Sequence, residues 1–90
     1  MTTVVNCNQT NNYDVYIGRP SKWGNPFIIG RDGNRKQVLD KFRSWIKNKE
    51  YLLNAIESEL KDKVLGCHCY PKACHGNILA DIADKKIVLI

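Results

Sequence analysis

The run Gly66-Cys67-His68-Cys69-Tyr70-Pro71-Lys72-Ala73-Cys74-His75-Gly76 gathers three of the chain's four cysteines and both of its histidines into eleven residues. Thiolates and imidazoles are zinc ligands, and Cys67, Cys69, Cys74 and His75 supply the four donors that a tetrahedral ion takes. Their spacing departs from the two separated pairs of common structural sites, because all four donors are local. Adjacent Cys74 and His75 would reach one ion only on a sharply bent backbone. The same run allows an anion site: the first turn of a helix presents unpaired N–H groups and a positive dipole end, and His75, Gly76 and Asn77 stand where such a turn would begin. It also allows nucleophilic chemistry, with Cys69 or Cys74 as the thiol and His75 as its base, or a metal-held water in place of the thiol. No Asp or Glu lies in the motif to orient the histidine. The plainest alternative makes each cysteine a small buried hydrophobe, His75 a loop histidine with its hydrogen bonds satisfied and Gly76 a turn residue. That suits any one of these residues better than it suits the cluster.

A second stretch carries ligand-type side chains. Gly18-Arg19-Pro20-Ser21-Lys22-Trp23-Gly24-Asn25-Pro26-Phe27 contains two prolines and two glycines, which exclude a regular element and fix the backbone in turns. Arg19 and Lys22 offer donors for phosphate or carboxylate. Trp23 and Phe27 offer flat faces for a ring to stack on, and Asn25 an amide for a base edge. Phe27 precedes the apolar pair Ile28-Ile29 and is assigned to the core. Arg19 and Lys22, in so rigid a loop, are assigned to ligand contact.

Hydrophobic periodicity supplies the elements that position the two loops. Thr2 to Asn6 is a β-branched run and Asp14 to Gly18 alternates polar with apolar residues, so each reads as a strand. The turn-rich stretch from Asn8 to Asn12 predicts a hairpin or two neighbouring strands, with Cys7 closing the first as a core thiol. Gly30-Arg31-Asp32-Gly33 is a turn, and Asp32-Gly33-Asn34 can cap a helix beginning at Arg35. From Arg35, the residues Val38, Leu39, Phe42, Trp45 and Ile46 mark one face of that amphipathic helix, which ends near Asn48, with Trp45 in the core. A second helix from Tyr51 turns Leu52, Leu53, Ile56 and Leu60 inward and Glu57, Glu59 and Lys61 outward.

Val64-Leu65 is a strand leading into the cysteine motif, with Cys67 and Cys69 sharing a face by the two-residue alternation of a strand. Ile78, Leu79 and Ile82 define a third helix, supported by an Asp81–Lys85 pair one turn apart. Ile87-Val88-Leu89-Ile90 reads as a last strand. The predicted fold is α/β: one small domain over residues 1–90, a sheet of about four strands with three helices in Rossmann-like layering. If the strands ending at Gly18 and Cys69 run side by side and parallel, the helical crossover brings both loops to the carboxyl edge of the sheet. Open α/β sheets bind their ligands there.

Composition narrows the partners. Ninety residues with 43% hydrophobic content support a single modest core, which dimerisation or a bound metal would help to stabilise. The formal net charge of +5 favours an anionic partner. The absence of a like-charge block, a basic helix or an aromatic-basic interleave makes nucleic acid the less favoured one. No apolar h-region follows Met1 and no run approaches membrane-spanning length, so a cytoplasmic protein with reduced thiols is expected, in the host cytoplasm if the source is a phage.

Both motifs together resemble the short bacterial and bacteriophage proteins grouped as domain of unknown function 4326. The likeness rests on the loop Tyr16-Ile17-Gly18-Arg19-Pro20-Ser21-Lys22-Trp23-Gly24-Asn25-Pro26-Phe27 and on Leu65-Gly66-Cys67-x-Cys69-x-Pro71-x-x-Cys74-His75-Gly76. The family often has tryptophan where this chain has His68 and aspartate where it has Asn77. This implies that His68 is not essential and that Asn77 is a cap or binding contact, not a catalytic carboxylate. The resemblance implies a shared pocket and a phage or bacterial setting and names no reaction.

The expected function is binding of a phosphorylated, nucleotide-derived small molecule. Arg19 and Lys22 would hold the anion, Trp23 the base or ribose, and the backbone around His75-Gly76-Asn77 a further anion contact, with Asn25 and Cys69 alongside. In a phage, such a protein would suit the sequestering of a host nucleotide signal. The rivals are an enzyme using Cys74 and His75 on a similar ligand, and a zinc-stabilised nucleic-acid module.

Overall fold

The β-branched and apolar runs form three short parallel strands, β1 (Thr3–Asn6), β2 (Val15–Tyr16) and β3 (Val64–Cys67), in a computed structural model that describes residues 1–85. Three helices accompany them: α1 (Arg35–Ile46), α2 (Glu50–Glu59) and α3 (His75–Ala83). The α/β class and the three helices match the sequence expectation. The predicted last strand at Ile87 to Ile90 lies outside the described residues, among which the sheet has three strands.

The strand order is β1-β3-β2, with Thr3 opposite Val64, Asn6 opposite Cys67 and Tyr16 opposite Gly66. The predicted hairpin, or neighbouring pair, of the first two strands is therefore corrected: β3 lies between them. Its Leu65 and Cys67 are 0% and 1% exposed, and the most apolar strand of a parallel sheet takes the place covered on both faces. To reach β2, residues 7–14 must run back across β3. Cys7 N donates to the Cys67 carbonyl at 2.9 Å at one end of this crossing, and Asp14 N to the Val64 carbonyl at 2.8 Å at the other. Tyr13 lies over Gly66, where a Cβ would stand 2.7 Å from its ring. A side chain at position 66 would push the crossing off the sheet.

Leu65 and Cys67 point to the opposite face, into the core, where α3 lies directly on β1 and β3 and α1 and α2 pack against α3. There α1 buries Val38, Phe42 and Ile46, and α2 buries Leu52 and Ile56. From α3 come Ile78, Leu79 and Ala83. Asn34 caps α1 as the turn signature predicted: its side chain accepts from Gln37 N at 2.9 Å, and the Gln37 side chain accepts from Asn34 N at 2.9 Å. This reciprocal box satisfies two of the orphan donors of the first turn. Trp45 is half-buried and packs on the core from α1. The Asp81–Lys85 pair does not form. Lys85 leaves the helix with φ of 58° and reaches Glu57 on α2 at 3.9 Å instead. Among the described residues no helix is long and apolar enough to cross a membrane.

Candidate functional site

Beyond Tyr16 the chain makes one more sheet contact, from Ile17 N to the Gly66 carbonyl at 3.0 Å, and then enters residues 18–27 through successive turns. Two of the side chains expected to hold ligand serve the fold. Trp23 is 3% exposed and belongs to the core cluster, so its ring is not offered to solvent. Lys22 stands 5.0 Å over that ring and 2.8 Å from Glu59 at the end of α2, which ties the loop to that helix. Asn25 clasps the loop to α1: its Oδ1 accepts from Phe27 N at 2.9 Å and its Nδ2 donates to the Val38 carbonyl at 3.3 Å. That clasp holds the half-buried Phe27 ring in place. Phe27, assigned to the core from sequence, lines a cavity.

The cavity measures about 450 Å³ and is walled by both loops, with Arg19, Asn25 and Phe27 from the first and His68, Cys69 and His75 from the second. Residues of the two motifs thus line one cavity at the carboxyl edge of the sheet. The volume falls in the range of small-molecule pockets. Helix α1 completes the walls with Arg35, Val38 and Leu39. The exposed Arg19 guanidinium has no hydrogen-bond or ion-pair partner among the described residues. Arg35, which helical periodicity leaves on a solvated face, crosses to the second loop and donates from Nη1 to the Ala73 carbonyl at 2.9 Å.

Tyr16 and His68 also line the cavity. The Tyr16 hydroxyl donates to the Arg19 carbonyl at 2.9 Å and lies 2.8 Å from His68 Nε2. A hydroxyl has one proton to give, so His68 Nε2–H is the donor in the second contact. Cys7 is half-buried at the end of β1 and meets the same imidazole side-on, 3.4 Å from Nδ1 and 3.8 Å from Nε2. Sequence spacing does not reveal this group, because Cys7 and His68 each follow the last residue of a different strand, β1 and β3, which pair side by side.

A thiol pair adjoins the cavity, which Cys74 also lines. Cys67 and Cys74 are buried with their sulfurs 3.3 Å apart. Donation from the Cys74 thiol, joined by backbone amides at Tyr70 and Cys69, holds Cys67 down at about 6. The same interaction, together with burial, pushes the Cys74 thiol well above its usual range. The amides of Gly76 and Asn77 are turned on the Cys74 sulfur, and Asn77 Oδ1 accepts from Cys74 N at 3.1 Å. Cys74 therefore caps α3. His75 and Gly76 are buried, so the first turn expected to receive an anion is closed over its own cap, and Asn77 acts as a capping residue.

His75 is 8% exposed; its Nε2–H donates to the Ile17 carbonyl at 2.7 Å and its ring meets Phe42 edge-on at 5.3 Å. Burial lowers its pKa and keeps it neutral. Cys69 does not share the buried face with Cys67, because β3 stops at Cys67 and the chain bends. The four donors considered for zinc are accordingly not brought to one point. Among the described residues no group of three or more His, Cys, Asp and Glu side chains is placed to hold a metal ion.

These shifts set a pH dependence. Cys67 has a folded pKa of about 6 against an ordinary 9.0, so its contribution to stability is complete above pH 9 and is lost as the pH falls through about 6. His75 acts in the same direction, complete above 6.5 and lost as the pH falls through its lowered folded value. Cys74, shifted upward, contributes fully below 9.0 and loses its contribution as the pH rises through the raised value. Unfolding midpoints of the wild type and Cys67→Ser, measured from pH 9 down to 6, are expected to converge. A constant gap would contradict the thiolate assignment.

Fold and site together define a small α/β protein with a cation-lined cavity at the carboxyl edge of a parallel sheet. The chain belongs to the family of domain of unknown function 4326, whose pattern matches residues 4–85. It is similar to an uncharacterized 12.4 kDa protein in the nrdA-td intergenic region of Enterobacteria phage T4, with 37% identity over 78 residues, 81% of this chain and 69% of the phage protein. No solved structure matches the chain.

Proposed function

We propose that the protein binds a phosphorylated, nucleotide-derived small molecule in the cavity between residues 18–27 and 67–77 and leaves it chemically unchanged. The observation that carries this is the meeting of two guanidinium groups, Arg19 and Arg35, with an apolar wall of Phe27, Ile28 and Leu39 in one cavity that, among the described residues, no carboxylate lines. Guanidinium forks suit phosphate, and an aromatic and aliphatic wall suits a base. The anion role passes from Lys22 to Arg35, and the ring contact from Trp23 to Phe27. A net charge of +5 draws such a ligand in. Cys74 and His75 each have other partners, which favours a binder over an enzyme built on that pair. The likeness to a phage protein supports a phage or bacterial setting. The site of action is then the host cytoplasm, and the sequestering of a nucleotide signal is the role.

Native mass spectrometry of freshly purified protein, with metal analysis of the same sample, tests this. The expected result is a non-covalent adduct of nucleotide mass that Arg19→Ala loses and that is released intact after long incubation. A cleaved or transferred product that disappears in Cys74→Ala or His75→Ala would replace binding with catalysis. Stoichiometric zinc without any nucleotide, lost in Cys67→Ser, would replace it with a metal module.

A further inference from the structure

A second cavity, of about 530 Å³, lies in the groove between α1 and α3 and shares Arg35, Leu39, Ala73 and Cys74 with the first. The Arg35 guanidinium spans the divide, with Nη1 on the Ala73 carbonyl at 2.9 Å. A guanidinium has five N–H donors, so this bond leaves others for a ligand passing beneath it.

The two cavities differ in charge. Among the described residues the first is lined by the cations Arg19 and Arg35 without carboxylates, whereas the second adds Lys36 paired to Asp40 at 3.0 Å, and Arg43 together with Asp81. Charge in the second cavity is thus near balance beyond Arg35. It does not favour another phosphate. It does suit a neutral polar group: Asp81 can accept from sugar hydroxyls, while Leu39 and Ile78 give an apolar surface for a base. Two cavities of similar volume, joined across one guanidinium, match a molecule with two similar ends and phosphate between them.

We propose that the ligand is a dinucleotide, with one nucleoside in the first cavity, the linking phosphate at Arg35 and the second nucleoside in the groove between α1 and α3. This rests on the nucleotide-binding function proposed above and specifies its ligand class. Each half contributes binding that the other has already oriented, so the joined molecule gains over either half alone.

Calorimetric titration of the whole protein with nucleoside 5′-monophosphates and with 5′-phosphorylated dinucleotides of each base tests it. The best dinucleotide is expected to bind at least about tenfold more tightly than the best monophosphate. Asp81→Ala and Arg43→Ala, at unchanged unfolding midpoints, should remove that advantage and leave monophosphate affinity within about twofold. Arg19→Ala should weaken both classes. Equal affinity for the two classes, or equal weakening of both by Asp81→Ala and Arg43→Ala, overturns the dinucleotide assignment and leaves the nucleotide-binding function standing. Failure of both classes to bind overturns that function as well.

Discussion

Replacing Phe42 by Ala is expected to lower the free energy of unfolding by about 3–5 kcal/mol. Phe42 is fully buried at the middle of the inward face of α1, between Val38 and Ile46. Its ring meets His75 at 5.3 Å and Trp45 at 5.8 Å, so it packs α1 against the start of α3. Removing the ring leaves a void that rigid neighbours on two helices cannot close. A domain of ordinary stability has roughly 5–15 kcal/mol in total, so the variant would stand close to its unfolding transition at room temperature. Urea unfolding measures the loss. Lys36→Ala, on an exposed side chain of the same helix, should change stability by no more than about 0.5 kcal/mol. A Phe42→Ala loss below about 1 kcal/mol would mean that the contact between α1 and α3 is far more compliant than its burial indicates.

Much of the scaffold was legible because it is written in local terms. The inward positions from Val38 to Ile46 repeat at helical spacing, and Asn34 followed by Gln37 carries its own capping chemistry. The apolar run into Cys67 and the helix after it placed the second loop at the carboxyl edge. Strand order was not local. The stretch from Asn8 to Asn12 carries the composition of a turn whether it closes a hairpin or crosses a third strand, and what separates the two cases is long-range: the pairing of both strands with β3 and the contact of Tyr13 with Gly66.

The site was legible as a place more than as a set of atoms. Arg19 lines the cavity, yet Trp23 beside it is buried in the core. A tryptophan in a turn-rich loop reads as platform or plug until its surroundings are known. Cys67 and Cys69 lost their common face because the strand ends between them. His75 reads from sequence as a ligand, a base or a satisfied loop histidine, and the close Ile17 carbonyl decides for the satisfied histidine. Arg35 looked like any cation at the start of an amphipathic helix, and its importance comes from Ala73, thirty-eight positions away. Periodicity reports which face of an element is buried, but not which loop arches over the other face.

Removing both guanidinium groups, by Arg19→Ala with Arg35→Ala, is expected to weaken nucleotide binding by roughly 2–4 kcal/mol, or about thirtyfold to a thousandfold. Hydrogen bonds to charged groups contribute about 1.5–3 kcal/mol each, and the exposure of Arg19 reduces its share through solvent screening. The fold should tolerate Arg19→Ala because its guanidinium bonds nothing else among the described residues. Arg35→Ala gives up one hydrogen bond, to the Ala73 carbonyl, at a cost of about 1 kcal/mol. Arg35→Lys separates charge from geometry, since an ammonium keeps the charge but cannot both hold the Ala73 carbonyl and present a fork to phosphate. It should recover only part of the lost affinity. Lys22→Ala is the decisive companion: Lys22 is engaged by Glu59 and the Trp23 ring, so its loss should leave affinity within about twofold. Titrations at rising ionic strength should weaken the wild type more steeply than the double variant, because two of the screened charges are gone. If Lys22→Ala instead abolished binding while Arg35→Ala did not, the ligand would lie on the outer face of residues 18–27, and the cavity would not be its site.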